Sequence, residues 1–325
     1  MANYLVTGAA GFIASKVCEL LLADGHFVFG IDNVNDAYDV RIKNWRLDQL
    51  GSYKNFVFSK QDICDYKNLE ETIKKNEKFD AVINLAARAG VRASVEDPWT
   101  YIDTNINGTL NLLEIAQRYQ IPKFILASTS SVYGADAPLP TPEEADSSHP
   151  LQAYAASKKG AEALCHSYHF LYDIDVTVFR YFTVYGPAGR PDMSMFRFTQ
   201  WINEGKPVRL FGTGEQTRGF TYVDDIARGT ILGLKPVGFE IMNLGGHETI
   251  SINQMISVLE DKLNKKANIE KSPAHPADMM ANWADVSKAK RVLGWQPEVD
   301  LNSGMQNLVD WYLAERDWTS DIRTL

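Results

Sequence analysis

The sequence predicts an α/β protein: a doubly wound parallel sheet followed by a smaller α/β lobe. Two observations carry the prediction. Short apolar runs rich in Val, Ile and Phe alternate with longer segments of helical spacing, and this rhythm breaks after about residue 182, where Gly and Pro begin to punctuate the chain. The runs "YLVTG", "FVFGID", "NFVFSK", "DAVINLAA", "FILAST" and "VTVFRYF" lack clean polar–apolar alternation, as strands buried on both faces do. Between them lie "ASKVCELLLADG", "LEETIKKNEK", "NINGTLNLLEIAQRY" and "AYAASKKGAEALCHSYHFLY", each spaced for a helix. Such alternation implies right-handed crossovers and a parallel sheet. A first domain over residues 1–182 follows, with a second lobe over 183–325. In the second part "SINQMISVLEDKLNK" and "LNSGMQNLVDWYLAER" read as helices. "FTYVDDIARGTILGL" reads as a helix inside a segment, about 219–246, that returns to the first sheet.

Composition bounds the function. With 45% hydrophobic and 23% charged residues, the chain of 325 residues has the makeup of an ordinary globular protein with ample core. A net charge of −8 argues against nucleic-acid or anionic-membrane partners. No apolar run reaches a membrane span, and "MANYLVTGAAG" enters a strand at once, leaving no room for a signal peptide. The three cysteines, Cys18, Cys64 and Cys165, are odd in number and far apart, as reduced thiols are, so neither a disulfide nor a cysteine metal site is expected. The profile is cytoplasmic. No histidine pair has metal-ligand spacing. His166 and His169 share a helix expected to pack against another subunit.

The first turn, "VTGAAGFIA", follows a strand and opens a helix. Gly8 and Gly11 let the backbone approach a pyrophosphate, and the helix N-terminus supplies free N–H groups and positive dipole. Asp32 lies 24 residues beyond Gly8 at the end of the second strand, where a carboxylate holds a ribose diol and repels a 2′-phosphate. The combination predicts a Rossmann dinucleotide site that prefers NAD. Asp62 in "QDICD" follows the third strand and is positioned to meet the adenine.

"LQAYAASKKG" sets Tyr154 and Lys158 one helical turn apart. That spacing is cheap by itself, since "YQIPK" repeats it at Tyr119 and Lys123 with Pro122 forbidding a continuous helix. Its meaning comes from company: "FILASTSSVYG" sets Thr129, Ser130 and Ser131 just past the fifth strand, at the edge where such sheets bind ligands. Oxidising a sugar alcohol requires a base for the hydroxyl proton, and a free Tyr, with a pKa of about 10, is too weak an acid for that work near neutrality. A lysine ammonium one turn away would favour the phenolate.

The motifs "TGAAGFIA", "NLAA", "NINGTLNLLE", "STSSVYG", "YAASK", "RYFTVYGP", "TRGFTYVDD" and "WADVSKAKRVLGW" occur in one order along nearly the whole chain. In this the sequence resembles the extended short-chain dehydrogenase/reductases, and among them the nucleotide-sugar epimerases. The resemblance implies a Tyr154 base, with Lys158 and Thr129 completing the relay. It implies NAD contacts at Gly8, Gly11, Phe12, Ile13, Asp32, Asn33, Asp62, Ile63, Leu85, Ala86 and Ala87, besides Tyr154 and Lys158, which also holds the nicotinamide ribose. It implies a homodimer built on the helices of "TYIDTNINGTLNLLEIAQRY" and "AYAASKKGAEALCHSYHFLY".

Two positions bear on the substrate. Relatives that dehydrate or decarboxylate carry an acid where Ser131 stands, and UDP-hexose epimerases usually show Asn where Thr183 stands. Thr183, "GRPDM" and "DNVNDAYDVRIK" together look like the UDP-glucuronate 4-epimerases. Hydroxyls of Thr129, Ser130, Ser131 and Thr183 would surround the sugar carboxylate, Arg190 and Arg218 would grip the pyrophosphate, Asp278 would hold the uridine ribose, and Arg92 would help with the anion. The expected reaction is UDP-glucuronate to UDP-galacturonate through a 4-keto intermediate. A UDP-glucuronate decarboxylase, a UDP-hexose 4-epimerase and a non-enzymatic NAD-binding protein remain as alternatives. Asn84, Arg88, Ala188, Gly219 and His275 depart from the family pattern without removing a catalytic group.

Overall fold

The structure is a computed structural model that describes residues 1–76, 78–246, 248–273 and 280–324. Strands are numbered along the chain: β1 (Asn3–Thr7), β2 (Phe27–Asp32), β3 (Phe56–Lys60), β4 (Ala81–Asn84), β5 (Lys123–Thr129), β6 (Asp175–Tyr181), β7 (Thr183–Tyr185), β8 (Pro207–Phe211), β9 (Thr217–Tyr222), β10 (Phe239–Leu244), β11 (Glu248–Ser251), β12 (Asn268–Ser272) and β13 (Ala281–Asn282). Seven of them form one sheet in the order β10-β6-β5-β4-β1-β2-β3, with every neighbouring pair parallel. Successive residues of a strand face opposite sides, and here both sides are core. Leu5, Phe29, Val82 and Leu126 join one apolar cluster, while their neighbours Val6, Val28, Ile83 and Ile125 join another. This explains why the strand runs show no polar alternation.

The second lobe has its own core, in which Met195, Phe198 and Ile202 of the helix Ser194–Asn203 meet Met255, Leu259 and Met305. Its strands are short: β11, β9 and β13 run side by side with β7 against β9, and β12 pairs with β8. Two features differ from the sequence expectation. The segment read as one helix from Phe220 begins as strand β9, and only Val223–Leu232 is helical. The return to the main sheet is made by β10, "FEIMNL", whose mixed polarity hides a strand that pairs along its whole length with β6.

A buried ion pair ties the sheet to the long helix Ala153–Tyr172. Arg180 of β6 donates from Nε and Nη2 to the two carboxylate oxygens of Glu162 at 2.9 and 2.8 Å, and both residues are 2% exposed. Ser128 of β5 donates to the same carboxylate at 2.5 Å, and Lys159 at 3.3 Å. Burial pushes the Glu162 carboxyl up, but Arg180, Ser128 and Lys159 outweigh it and hold the group below its usual range. Arg180→Met would leave this carboxylate buried without its main partner, at a cost of about 3–5 kcal/mol. The urea midpoint at neutral pH is expected to drop accordingly. The gap from the unsubstituted protein should narrow on acidification, because a depressed carboxylate gives its stabilisation above the ordinary carboxylate range and loses it as pH falls through its folded value.

Candidate active site

Strand order reverses between β1 and β4, and the loops that leave those two strands are built for close approach. Gly8 has φ of +73°, and a Cβ there would lie 2.8 Å from the Cα and the N of Ala86. The Gly11 N–H donates to the Gly8 carbonyl at 2.7 Å, closing the turn. The helix Phe12–Ala23 follows, with neither a side-chain cap nor an acidic residue in its first turn, so its leading N–H groups stay available to an anion. Leu85, Ala86 and Ala87 form the opposite wall, and the Ala86 N–H donates to Thr7 Oγ1 at 3.3 Å.

Asp32 ends β2, and its carboxylate accepts the N–H of Ala10 at 3.2 Å and of Val34 at 2.7 Å. The Asn33 amide donates to Asp62 at 2.8 Å, and the Cys64 N–H donates to Asp62 at 2.9 Å. Burial raises the Asp62 pKa, but these bonds outweigh it and hold the carboxyl below its usual range. Ile63 is buried against the helix Gly108–Arg118, where a Cβ on Gly108 would fall 2.6 Å from its Cδ1. A turn with no space for a Cβ, an open helix terminus and a carboxylate beyond the second strand fit NAD, with its pyrophosphate over the turn and its adenosine towards Asp32.

Across the edge of the sheet, the long helix brings Tyr154 to Thr129 at the end of β5. The Thr129 hydroxyl lies near enough to the Tyr154 phenol to favour its ionised form, and Tyr101 packs edge-on against the Tyr154 ring with centroids 6.0 Å apart. Burial pushes the phenol above the ordinary tyrosine range, against the opposing pulls of Thr129 and of the Arg190 guanidinium. Arg190 is thus a protein cation that favours the Tyr154 phenolate, while Lys158 lies one turn along the same helix. Lys158 is 2% exposed, and burial lowers its pKa to about 8 against the opposing influence of Cys165 and Glu162. Its ammonium donates to no other group among the described residues, so its three N–H bonds stay available for a bound molecule.

Ser130 and Ser131 open the short 3₁₀ helix Ser130–Tyr133, and Thr129 Oγ1 accepts the Ser131 N–H at 3.2 Å. Tyr133 steadies this turn from below by donating to Asn243 of β10 at 2.6 Å. Thr183, Arg190 and Phe12 line a common cleft. Arg190 is held bidentately by Asp192 at 3.0 and 2.6 Å and also donates to the Ala89 carbonyl at 3.4 Å. Its charge also favours the ionised form of Tyr154. Arg218 on β9 donates to the Thr217 carbonyl at 2.8 Å, and the exposed Arg92 lies over the Phe211 ring, 5.2 Å from its centroid. Asp278 and His275 lie outside the described residues.

The structure also accounts for several departures. Asn84 bridges Thr7 at 2.8 Å and Thr109 at 3.1 Å in a buried chain beneath the cofactor turn. Gly219 admits no other residue, since a Cβ would lie 2.2 Å from the Gly246 carbonyl oxygen. His166 and His169 both pack on Phe239 of their own chain, with centroids 4.9 and 5.7 Å from its ring. Sequence reasoning missed Asn105, which sits in a π-helical turn, Asp103–Asn107. Its amide holds both the N–H and the carbonyl of Arg88, at 2.9 and 3.0 Å, and donates to Ser157 of the Tyr154 helix at 2.9 Å. Such turns frequently mark functional sites, but no sequence period announces one.

The GDP-mannose 4,6 dehydratase family profile matches residues 5–308. The chain belongs to that family of extended short-chain dehydrogenase/reductases. Within this family it is 55% identical over 312 residues to a UDP-glucuronate 4-epimerase of Thermodesulfobacterium geofontis, covering 96% of each chain. Among solved structures it is similar to the UDP-glucuronic acid 4-epimerase of Bacillus cereus in complex with UDP-glucuronic acid and NAD, with a TM-score of 0.90, 38% identity, and 96% of this chain and 99% of that one covered. It is also similar to the UDP-glucose 4-epimerase of Thermotoga maritima, with a TM-score of 0.89, 32% identity, and 97% and 99% covered.

As a family member with a turn this tight, the protein should not tolerate a side chain at Gly8. Gly8→Ala puts a methyl group against the Ala86 backbone at positive φ, a conformation that by itself costs roughly 1–2 kcal/mol. Nucleotide released by acid from the purified variant should contain little or no NAD, and its melting temperature should fall.

Proposed function

We propose that this protein is an NAD-dependent isomerase that converts UDP-glucuronate to UDP-galacturonate reversibly through a 4-keto intermediate. The observation that carries the reading is the meeting of Tyr154, Thr129 and Arg190 at one edge of the sheet, with a hydroxyl and not a carboxyl at Ser131. NAD bound over the Gly8–Gly11 turn would supply the acceptor for the hydride of carbon 4 of the sugar and the donor that returns it to the opposite ring face. The chain's own groups do the rest. Tyr154 takes the proton of the 4-hydroxyl and gives it back, with Thr129 sharing that hydrogen bond, and Arg190 offsets the burial that disfavours the phenolate. Lys158 directs its free donors to the nicotinamide ribose.

The 4-keto intermediate is a β-keto acid, which loses carbon dioxide when the bond to the carboxylate aligns with the carbonyl π system. Ser130, Ser131 and Thr183 hold the carboxylate out of that alignment through neutral hydroxyl donors, each hydrogen bond to a charged group contributing roughly 1.5–3 kcal/mol. Arg190 and Arg218 serve the phosphate end, Arg92 helps with the anion on the sugar side, and Asp278 holds the uridine ribose. With the diphosphate fixed, the sugar ring turns over between the two hydride transfers. Residues 1–182, with 219–246, act as the NAD domain and 183–325 as the sugar-nucleotide lobe.

We also read the protein as a homodimer in the cytoplasm. Phe170 at 80% exposure and Leu171 at 62% end the long helix, and this apolar surface supports pairing with a second copy. Among the described residues no helix is long and apolar enough to cross a membrane. Light scattering at micromolar concentration should report twice the chain mass, and a monomer there refutes the dimer.

Purified protein incubated with UDP-glucuronate, without added reductant, should yield a sugar nucleotide of unchanged mass with the proton couplings of an axial 4-hydroxyl. Release of carbon dioxide and a UDP-pentose would favour the decarboxylase instead. Tyr154→Phe should lose turnover while still binding the substrate by calorimetry, and near-normal activity in that variant would remove Tyr154 from its role.

A further inference from the structure

Arg46 lies on the helix Val40–Leu50, is 2% exposed, and is paired with no carboxylate among the described residues. Burying a cation without a counter-charge is costly, so its donors must be well used. They are divided between two loops from opposite lobes. Nη1 donates to the Ala10 carbonyl, between Gly8 and Gly11, at 2.9 Å, and to the Tyr38 hydroxyl at 2.9 Å. Nε and Nη2 both donate to the Ala188 carbonyl, at 3.1 and 2.6 Å. The guanidinium carbon lies 5.8 Å from the Phe12 ring centroid and 5.7 Å from that of Tyr38. Ala188 has φ of +51°, a left-handed conformation in a residue other than glycine, and is itself buried. A strained residue persists only when its surroundings fix it. Here the fixing contact is the planar fork of an arginine, which a lysine cannot reproduce.

Two residues after Ala188 comes Arg190, whose charge favours the Tyr154 phenolate. We propose that Arg46 is a positioning residue that registers the Arg190 loop against the cofactor turn, so that the sugar-side cation and the nicotinamide side of the site stay in fixed relation. Phe12 joins the same contact, since its Cζ lies 3.8 Å from where a Cβ of Gly189 would be. The inference rests on the epimerase reading, in which Tyr154 is the base. Titratable groups facing the phenol are Arg190 and the edge-on Tyr101 directly, with Asp192 bonded to Arg190 and Tyr38 acting on Arg190 through its charge; Lys158 lies one turn along the same helix.

The test compares unsubstituted protein, Arg46→Met and Arg46→Lys on UDP-glucuronate. Each is checked for fold by circular dichroism and for NAD content, and kcat and KM are followed across pH. If the unsubstituted protein does not epimerise the substrate, the functional reading fails first, and this inference fails with it. If it does, Arg46→Met should retain its fold and lose about tenfold to a hundredfold in kcat, the range expected of a misplaced catalytic constellation, with little change in KM. The acid limb of kcat/KM should move to higher pH, because a displaced Arg190 supports the phenolate less. Arg46→Lys should recover only part of both effects. An unchanged pH limb in a folded variant overturns the proposal. So does recovery of the normal profile on adding excess NAD, which would confine Arg46 to the cofactor turn. Should Arg46→Met fail to fold, Arg46→Lys alone decides by the same limb.

Discussion

The approach of one backbone to another, Gly8 against Leu85 and Ala86, is the constraint on which the site depends. Parallel strands send every chain exit to one edge of the sheet, and the reversal of order between β1 and β4 opens that edge into a crevice. The crevice is useful to a diphosphate only if its floor is backbone, since N–H groups and a helix dipole act over short range. Everything above the floor follows from its height. Asp32 and Asp62 stand on one side of it, while β5 and the Tyr154 helix stand on the other.

Burial acts on the two central residues in opposite directions, and both shifts work against charge. It raises Tyr154 and lowers Lys158 to about 8, so the protein alone favours a neutral phenol beside a lysine that is still mostly an ammonium near neutrality. The phenolate that the proposed chemistry calls for must therefore be assisted, by Arg190 from the protein and by the positive ring of the bound cofactor. This arrangement ties ionisation of the base to occupancy of the site. The ion pair of Glu162 and Arg180 plays a different part beneath them: it holds Ser128, the neighbour of Thr129, and the helix that carries both Tyr154 and Lys158.

Much of this was legible in the sequence. Six of the seven strands in the main sheet stand out as apolar runs, because burial on both faces removes their polar positions. The glycine turn, Asp32, Thr129, Tyr154 and Lys158 also stand out, because each fills a fixed place in a known spacing. β10 was not legible, since it runs "FEIMNL" and owes its strand conformation to pairing with β6. The opening of β9 was absorbed into a helix because period alone does not mark where a strand hands over to one. Arg46 and Asn105 were invisible for a different reason. Their partners are backbone carbonyls and amides distant in sequence, which side-chain patterns cannot report. The influence of Arg190 on Tyr154 went unread for the same cause, as proximity along a helix is readable and proximity between segments far apart in sequence is not.

The bonding of Asp32 bears on how cofactor preference could evolve. Its carboxylate is commonly regarded as a filter that excludes a 2′-phosphate. In this chain the same two oxygens also anchor the turn itself, through the amides of Ala10 and Val34. Selectivity and architecture therefore share a single side chain. A lineage drifting towards NADP could not simply trade this acid for a small neutral residue, because the turn would lose its support in the same step. It would first have to acquire another acceptor for those amides, so fidelity to NAD is protected by the fold as well as by selection on the reaction.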